Sequence, residues 1–223
     1  MSRSVIRVSV PSTELVTSAD MSPMLHGYPS SEESFLTMTI AAARDLVEGH
    51  TGYSLAASDF IQYADRFPMQ GYDHCLAPFN YALHGLPGLP WEKRSPLEIE
   101  FRRNPALTIS KIEYVDTNGV TQTLEPGTDF AVDLTCSPAR VMPLPRMVWP
   151  VALRSPKAVA LYYTAGFTPG AAASVETLPT LKAIVMALTE KWFINRNNYG
   201  EVPAAIWDLI NSNRVTNYNP GIE

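Results

Sequence analysis

The sequence is poor in the residues and motifs that carry chemistry. Its 223 residues include only two cysteines and four histidines. Cys75 and Cys136 lie 61 positions apart, which provides neither a disulfide framework nor zinc-ligand spacing, so we expect free thiols in a reducing compartment. His74 is adjacent to Cys75, but no third ligand follows at metal-binding spacing. We therefore predict that the protein binds no metal and no other cofactor.

Motifs of the common enzyme classes are also missing. The chain contains no G-x-S-x-G, no H-E-x-x-H and no glycine-rich phosphate loop. Glu98 and Glu100 share one face of a predicted strand, but alternation with apolar residues predicts exposure, whereas a catalytic carboxylate pair needs burial to separate its two pKa values. We predict that the protein is not an enzyme. The rival prediction is a hydrolase for carbohydrate or peptide with its site in residues 69–96.

Three further absences concern partners and secretion. The formal net charge is −5, so the basic excess of a protein that wraps nucleic acid is lacking. No apolar run reaches the roughly 20 residues that a membrane span requires. The first residues include Arg3 and Arg7 and no apolar stretch of signal length. We therefore predict no membrane partner and no secretion signal.

The strongest pattern that is present is a pair of C-terminal helices. Pro179 occupies a first-turn position, and large apolar residues follow it at steps of three and four. These residues are Leu181, Ile184, Val185, Leu188 and Trp192. A polar run then ends the helix, and Val202-Pro203 begins a second helix with Ile206 and Leu209 on its apolar face. A pair this apolar needs the rest of the chain, or a neighbouring copy, to cover it.

The N-terminal half predicts an arm and two helices. Residues 1–16 alternate weakly, which fits an edge strand or a loose arm, and we favour the arm because chain ends are ordered only when they are tied down. Thr17 is the predicted N-cap of a short helix. Ser30 and Glu33 form a capping-box pattern before a long amphipathic helix that ends near Gly52.

The middle of the chain predicts strands. Residues 97–164 contain several runs in which apolar and polar residues alternate, the period of a half-buried strand. Asn118-Gly119 predicts a hairpin with a type I′ turn, since both residues accept a positive φ. Residues 69–96 are rich in proline and glycine and predict a long loop, which at this length is more often functional than idle.

The order of these patterns predicts an α+β fold, in which a helical unit carries an inserted antiparallel β subdomain. The two halves of the helical unit flank the strands in sequence. The predicted boundaries are an N-terminal arm at 1–16, a helical unit at 17–52 and 175–214, a β-rich subdomain at 53–174 with the loop 69–96, and a C-terminal tail at 215–223.

One stretch of the chain has charge of a single sign. Between Asp133 and Glu176 no acidic residue occurs, and the four charged residues are basic. They are Arg140, Arg146, Arg154 and Lys157. Two interpretations stay open. The charges are solvated strand ends that face acidic neighbours, or they form a partner surface for an acidic protein rim or for DNA contacted through its phosphates.

The C-terminal tail is a second candidate interaction segment. Its residues Val215, Thr216, Asn217, Tyr218 and Asn219 show no helical period and place an apolar and an aromatic residue in a polar strip. Such a composition suits an extended peptide that docks in a groove or adds to a sheet edge. The alternative is a frayed terminus.

Several local motifs occur in a fixed order along the chain. They are the helix of residues 30–48 running into His50-Thr51-Gly52, Phe67-Pro68, Val115 to Gly119, Asp129-Phe130, Pro138 to Val141, Trp149-Pro150, Tyr163 to Phe167, Trp192 to Arg196, and Val202-Pro203. Their order and spacing over about residues 15–214 resemble the head–tail connector (adaptor) proteins of long-tailed double-stranded DNA bacteriophages.

This resemblance implies a structural protein of the virion neck, made in the host cytoplasm. Such adaptors form a ring, of twelve copies, beneath the portal protein at the capsid vertex. Genome DNA passes through the ring without sequence-specific binding, and a stopper or tail-completion protein docks below. The resemblance also implies that the C-terminal segment reaches the portal. The alternative position in the same particle is the stopper itself, where small all-β rings are expected and the strong C-terminal helices would not fit.

Overall fold

The helices lie at the two ends of the chain, as predicted. We describe them from a computed structural model, which describes residues 3–9, 11, 14–68, 97–167, 178–196 and 199–215. Within these ranges the helices are α1 (Ser18–Met21), α2 (Glu33–Thr51), α3 (Leu178–Ile194) and α4 (Ala204–Ser212). Both predicted C-terminal helices are therefore confirmed.

The caps of the first two helices differ from each other. The Thr17 hydroxyl accepts a hydrogen bond from the Asp20 N–H, and the Asp20 carboxylate accepts one from the Thr17 N–H at 2.9 Å, so α1 begins with the predicted cap. The capping box predicted from Ser30 and Glu33 was wrong. Residues Ser30–Glu32 form a single 3-10 turn that leads into α2, with Pro29 before it and no side-chain cap bond.

The helical core forms where α2 packs against α3. The residues predicted to share one face of α3 are buried, and Leu181 and Leu188 are fully so. They meet the buried face of α2, which includes Leu36, Ile40, Ala43 and Val47. The side chain of Trp192 is also buried, and its indole N–H donates to the Glu201 carbonyl at 2.8 Å. A buried indole usually needs such a partner.

Two antiparallel sheets fill the middle of the chain. Their strands are β1 (Arg3–Arg7), β2 (Ser58–Ala64), β3 (Ile99–Glu100), β4 (Ala106–Val115), β5 (Thr121–Leu124), β6 (Phe130–Asp133), β7 (Arg140–Pro143) and β8 (Val159–Ala165). The five-stranded sheet has the order β1-β2-β8-β4-β5, and the three-stranded sheet has the order β3-β7-β6. The predicted α+β class is confirmed.

The N-terminal residues form an edge strand instead of the favoured loose arm. Strand β1 pairs antiparallel with β2, with Val5 opposite Gln62 and Arg7 opposite Phe60. The sequence pattern was too weak to decide, because the pairing partner lies more than fifty positions away.

The β4–β5 hairpin is confirmed, but the turn type was wrong. Gly119 has a φ of +82°, whereas Asn118 is not among the residues with positive φ, so the turn is not type I′. Asp116 organises the turn instead. Its carboxylate accepts hydrogen bonds from the N–H groups of Asn118 and Val120 at 2.8 and 3.0 Å. An aspartate that bonds the backbone two residues on is a common turn device.

The two sheets share one hydrophobic core. Phe60, Ile112 and Leu161 contribute from the larger sheet, and Phe130 and Val141 contribute from the smaller one. This core is separate from the helical core, in which Phe167 packs near Tyr53 with 6.0 Å between ring centroids.

Gly166 carries the chain from one core to the other. Its φ is +135°, and a Cβ there would lie 2.4 Å from the Ala56 carbonyl oxygen, so only glycine fits without a backbone shift. The Gly166 N–H also donates to the Pro105 carbonyl at 2.9 Å.

Candidate functional site

The segment after β7 exposes apolar side chains that the core does not cover. Met147, Val148, Val151 and Leu153 are 53%, 75%, 62% and 37% exposed. We call these four residues the apolar strip. The residues between them behave differently, because Trp149 and Ala152 are only 6% and 3% exposed. Trp149 and Ala152 pack in the core of the two sheets, and Val148, Val151 and Leu153 beside them are left exposed.

Hydrogen bonds and one ring contact hold this segment in place. The Trp149 indole N–H donates to the Leu97 carbonyl at 2.6 Å, and its ring stacks on Phe67 with 4.9 Å between centroids and 7° between planes. The Leu153 N–H donates to the Val115 carbonyl at 2.8 Å. Ala152 forms an isolated bridge with Asp116. The apolar strip is therefore attached at its middle and at one end to the β core.

A groove lies at the N-terminal end of the strip. Its volume is about 300 Å³, and its lining includes Leu97, Met142, Leu144, Met147 and Val148. Arg146 also lines it and has a φ of +69°, in a turn that the Met147 N–H closes by donating to the Leu144 carbonyl at 2.9 Å. The groove is thus mainly apolar with one basic side chain at its rim.

The four basic residues predicted as a partner surface have different environments. The Arg140 guanidinium pairs with Glu98 and with Asp133, each at 3.1 Å, so the structure uses its charge within the molecule. Lys157 lies with its ammonium 5.1 Å from the centre of the Tyr63 ring. Arg146 and Arg154 are exposed on either side of the apolar strip.

The ion pair of Arg140 also corrects the expectation for the Glu98–Glu100 pair. The Glu98 side chain is only 7% exposed, although its alternation with apolar residues predicted a solvated face. Arg140 closes over it from the neighbouring strand, since Glu100 lies opposite Arg140 in the β3–β7 pairing. A carboxylate held by a guanidinium in this way is a structural ion pair.

The described cysteine is not poised as a nucleophile. The Cys136 thiol donates to the Asp133 carboxylate at 3.0 Å, which raises the pKa of the thiol. Hydrogen bonds from Cys136, Thr135 and Arg140 hold the pKa of Asp133 well below its usual value. Because the thiolate is the reactive form of cysteine, this arrangement keeps Cys136 unreactive.

The first tail residue is part of the helical core, which corrects its predicted availability to a partner. Val215 is 4% exposed, and its N–H donates to the Thr51 carbonyl at 2.8 Å. The other predicted tail residues, Thr216, Asn217, Tyr218 and Asn219, lie outside the described residues. A binding tail would therefore begin after position 215.

A polar cluster joins β1 to α2. Glu48 is only 3% exposed, and its carboxylate pairs with Arg7 and accepts a hydrogen bond from the Leu55 N–H at 2.6 Å. Arg44 pairs with Glu14 and with Asp45. A small cavity of about 190 Å³ lies between Arg7, Glu48 and residues of the β core. Of the charged residues that line it, Arg7 pairs with Glu48 and Asp45, and the Arg103 guanidinium donates to the Glu48 backbone carbonyl, as expected for an internal connection.

Metal and membrane sites do not emerge from the described part of the chain. There, no group of three or more His, Cys, Asp and Glu side chains is close enough to hold a metal ion. His74, Cys75 and the rest of residues 69–96, where the rival hydrolase prediction placed its site, lie outside the described residues. The prediction that no cofactor binds stays a prediction. No described helix is long and apolar enough to cross a membrane.

Sequence reasoning missed the apolar strip. The sequence patterns did not predict that Met147, Val148 and Val151 are exposed. A signal was present, because the eight residues from Met147 to Arg154 contain no polar residue before the arginine. A run without polar residues usually indicates complete burial, and only the contacts of Trp149 and Ala152 show which side faces outward.

Comparison with known proteins identifies the fold. No protein-family profile matches the sequence, and no curated protein does. A chain of the neck of an empty gene transfer agent (GTA) particle, computed with C6 symmetry, is 17% identical with a TM-score of 0.63, over 99% of this chain and 100% of that chain. A chain of the neck of the native GTA particle, computed with C12 symmetry, is 15% identical with a TM-score of 0.63 over the same shares.

A third similar structure is a chain of the virion of the native GTA particle. It is 17% identical with a TM-score of 0.61, over 98% of this chain and 99% of that chain. The chain therefore has the fold of proteins found in the neck of a phage-like particle. This result is consistent with the resemblance to head–tail connector proteins that the sequence motifs indicated.

Proposed function

We propose that this protein is a structural neck protein, a head–tail connector (adaptor) that forms a ring under the portal at the capsid vertex of a phage or phage-like particle. In this function copies of the chain bind each other and the portal protein. Genome DNA passes through the ring without sequence-specific contacts, and a stopper or tail-completion protein binds below. The protein would act in the virion and would not be an enzyme.

The observation that carries this proposal is the extent of the fold likeness. It covers 99% of this chain and 100% of the GTA neck chain, so both the helical unit and the part that contains the two sheets are shared. A likeness that extends over two packed units and their connection is stronger support than a likeness of one common sheet. At 17% identity it supports the fold directly and the function only by analogy.

Features of the chain itself agree with a protein whose work is binding. Two small cavities occur in the described part of the chain. One lies at the polar cluster of Arg7 and Glu48, and the other lies beside the apolar strip. Neither brings together a nucleophile and a base, which acyl transfer or hydrolysis would need. Exposed apolar side chains, by contrast, mark protein–protein contacts. The helical unit supports the adaptor position over that of a stopper, for which an all-β ring is expected.

The tail beyond position 215 is the proposed portal-binding segment, from Thr216 to Asn219. Its root is fixed, because Val215 packs in the helical core and bonds to Thr51. Segments presented from several copies of a ring bind with high avidity even when each contact is weak. A partner surface is proposed at the exposed basic residues Arg146, Arg154 and Lys157.

The function can be tested by imaging. Purified protein would be added to capsids that carry the portal but lack a neck, and the vertex would be examined by electron microscopy. We expect a ring of density below the portal. Capsids without the portal are the control and should bind no ring. Absence of binding to portal-bearing capsids would refute the proposal.

The same assay tests the tail. Truncation after Val215 removes the proposed segment but keeps the residue that packs in the core, so the protein should fold and fail to bind the portal. Truncation after Arg214 is the comparison, since it should also lower the stability of the helical unit. If the chain ending at Val215 binds the portal as tightly as the full chain, the anchor lies elsewhere.

A further inference from the structure

We propose that the apolar strip, together with Arg146 and Arg154, is the surface through which one copy of this chain contacts the next copy. This inference rests on the proposed function for the existence of a ring and adds which surface closes it. The contact is of the head-to-tail kind, in which the strip of one copy binds a different surface of its neighbour.

The first support is that the exposure of the strip is built into the fold. Val148 and Val151 are 75% and 62% exposed, while Trp149 and Ala152 between and beside them are held in the β core. Apolar side chains on a backbone that is already held in place cost less conformational entropy on binding than those on a loose segment. Several large apolar side chains exposed on one short segment are typical of an interaction site.

The second support concerns the class of partner. DNA that is contacted without sequence reading presents phosphates, and those contacts require basic or polar side chains. Met147, Val148 and Val151 have no role in such a contact and would be placed against a charged backbone. A protein surface uses both features, since an apolar centre with a charged rim is the usual composition of a protein–protein interface.

The third support is charge complementarity within the chain. Of the 17 basic residues, Arg146 and Arg154 border the strip, which leaves 15 basic against 22 acidic residues, a balance of −7, for the rest of the chain. The rest of another copy therefore carries a net charge opposite to that of the two arginines beside the strip. The chain's own residues 69–96 are the competing cover, but they contain two acidic and two basic residues and so supply no complementary charge.

The same charges indicate the geometry of the contact. A two-fold contact would place the strip of one copy against the strip of the other, so Arg146 and Arg154 would face like charges. Like charges across an interface oppose association. A head-to-tail contact instead places these arginines against the acidic remainder of the neighbour, and repetition of such a contact gives a closed ring when the rotation closes.

The test measures self-association of the full chain by sedimentation velocity, from about 1 μM to about 1 mM, a range that detects contacts as weak as millimolar. The double variant Val148→Ser with Val151→Ser should weaken the dissociation constant at least about tenfold, the effect of losing central apolar contacts. The matched control is Val8→Ser with Met38→Ser, which replaces two residues that are 61% and 54% exposed outside the strip. The control should assemble like the parent.

A charge-reversed variant tests the geometry. Arg146→Glu with Arg154→Glu should also assemble at least about tenfold more weakly, because the reversed strip meets an acidic surface. A head-to-tail contact predicts that mixing this variant with the parent gives no association tighter than the parent alone. A mixture that associates more tightly than the parent would indicate a two-fold contact and would overturn the inference.

Other partners for the strip would give different results. If residues 69–96 cover the strip, Val148→Ser with Val151→Ser lowers the urea midpoint and leaves self-association unchanged. If the surface contacts DNA, charge reversal reduces binding to a mixed-sequence duplex and leaves self-association unchanged. Either result overturns the inference, as does a parent that stays monomeric at about 1 mM.

Imaging on portal-bearing capsids separates this inference from the proposed function. If the serine variant forms the same ring as the parent, the inference is wrong and the proposed function stands. If the parent forms no ring on the portal, the proposed function is wrong.

Discussion

Replacement of Glu48 should show how much more a buried carboxylate contributes to the stability of this protein than an exposed one. It lies on the last turns of α2 and is 3% exposed. One carboxylate oxygen accepts from the Leu55 N–H at 2.6 Å, and the other pairs with Arg7 on the edge strand β1. The side chain therefore connects the helical unit, the segment just before strand β2, and the N-terminal strand β1.

The expected cost of Glu48→Ala follows from what it leaves behind. The Leu55 N–H is buried and would lose its acceptor, at about 1–3 kcal/mol. Arg7 would keep Asp45 at 3.5 Å, and its side chain is 24% exposed, so its loss is smaller than that of a fully buried charge. Together these effects predict a decrease of about 2–4 kcal/mol in the free energy of unfolding. Glu48→Gln should cost less, because an amide oxygen can still accept from Leu55.

Urea denaturation followed by circular dichroism measures this decrease. With a slope of about 2–3 kcal/mol per molar urea for a chain of this size, the midpoint should fall by about 1 M. Asp45→Asn is the matched control. Asp45 pairs with the same Arg7 and with Arg44, but its side chain is 60% exposed, so it should cost less than about 1 kcal/mol. Equal midpoints for Glu48→Ala and Asp45→Asn would refute the reasoning.

Three further predictions concern stability. Leu188→Ala should lower the free energy of unfolding by about 2–5 kcal/mol, because the side chain is fully buried in the helical core, and an unchanged urea midpoint would contradict this. Gly166→Ala should cost at least about 2 kcal/mol, because its Cβ would lie 2.4 Å from the Ala56 carbonyl oxygen, and a thermal midpoint equal to that of the parent would show that the backbone gives way freely. The pKa of Asp20 is lowered to about 2 by the hydrogen bond from the Thr17 N–H and by Lys182, so its contribution to stability is present above about pH 4 and is lost as the pH falls toward 2. Asp20→Asn should flatten that part of the stability profile, and an identical acid profile would count against the interpretation.

The helices and most strands could be predicted because their signals are local. The face of α3 formed by Leu181, Leu188 and their neighbours follows from spacing alone. The β4–β5 hairpin follows from Asn118-Gly119, although the carboxylate of Asp116 decides the turn type. Pairing of β1 with β2 could not be predicted, since a five-residue strand with weak alternation carries no information about a partner beyond fifty positions.

The candidate site was less predictable than the fold. Val215 was assigned to an exposed tail because the sequence after Arg214 is polar, yet a single apolar residue at the end of α4 reaches the core and bonds to Thr51. The apolar strip was missed for the opposite reason. Its residues are apolar, and only the three-dimensional anchoring of Trp149 leaves them outside.

The basic residues show most clearly why a binding surface cannot be inferred from the number of charges in a stretch of sequence. Four basic residues without an acidic neighbour in sequence suggested one positive surface, but Arg140 is paired with Glu98, 42 positions away, and with Asp133. The surface therefore keeps three exposed positive charges. Proteins that bind DNA through its backbone alone use more phosphate contacts than three to hold it at physiological salt. The remaining arginines instead flank the apolar strip, where a few charges are enough to orient a protein partner whose affinity comes from apolar contact.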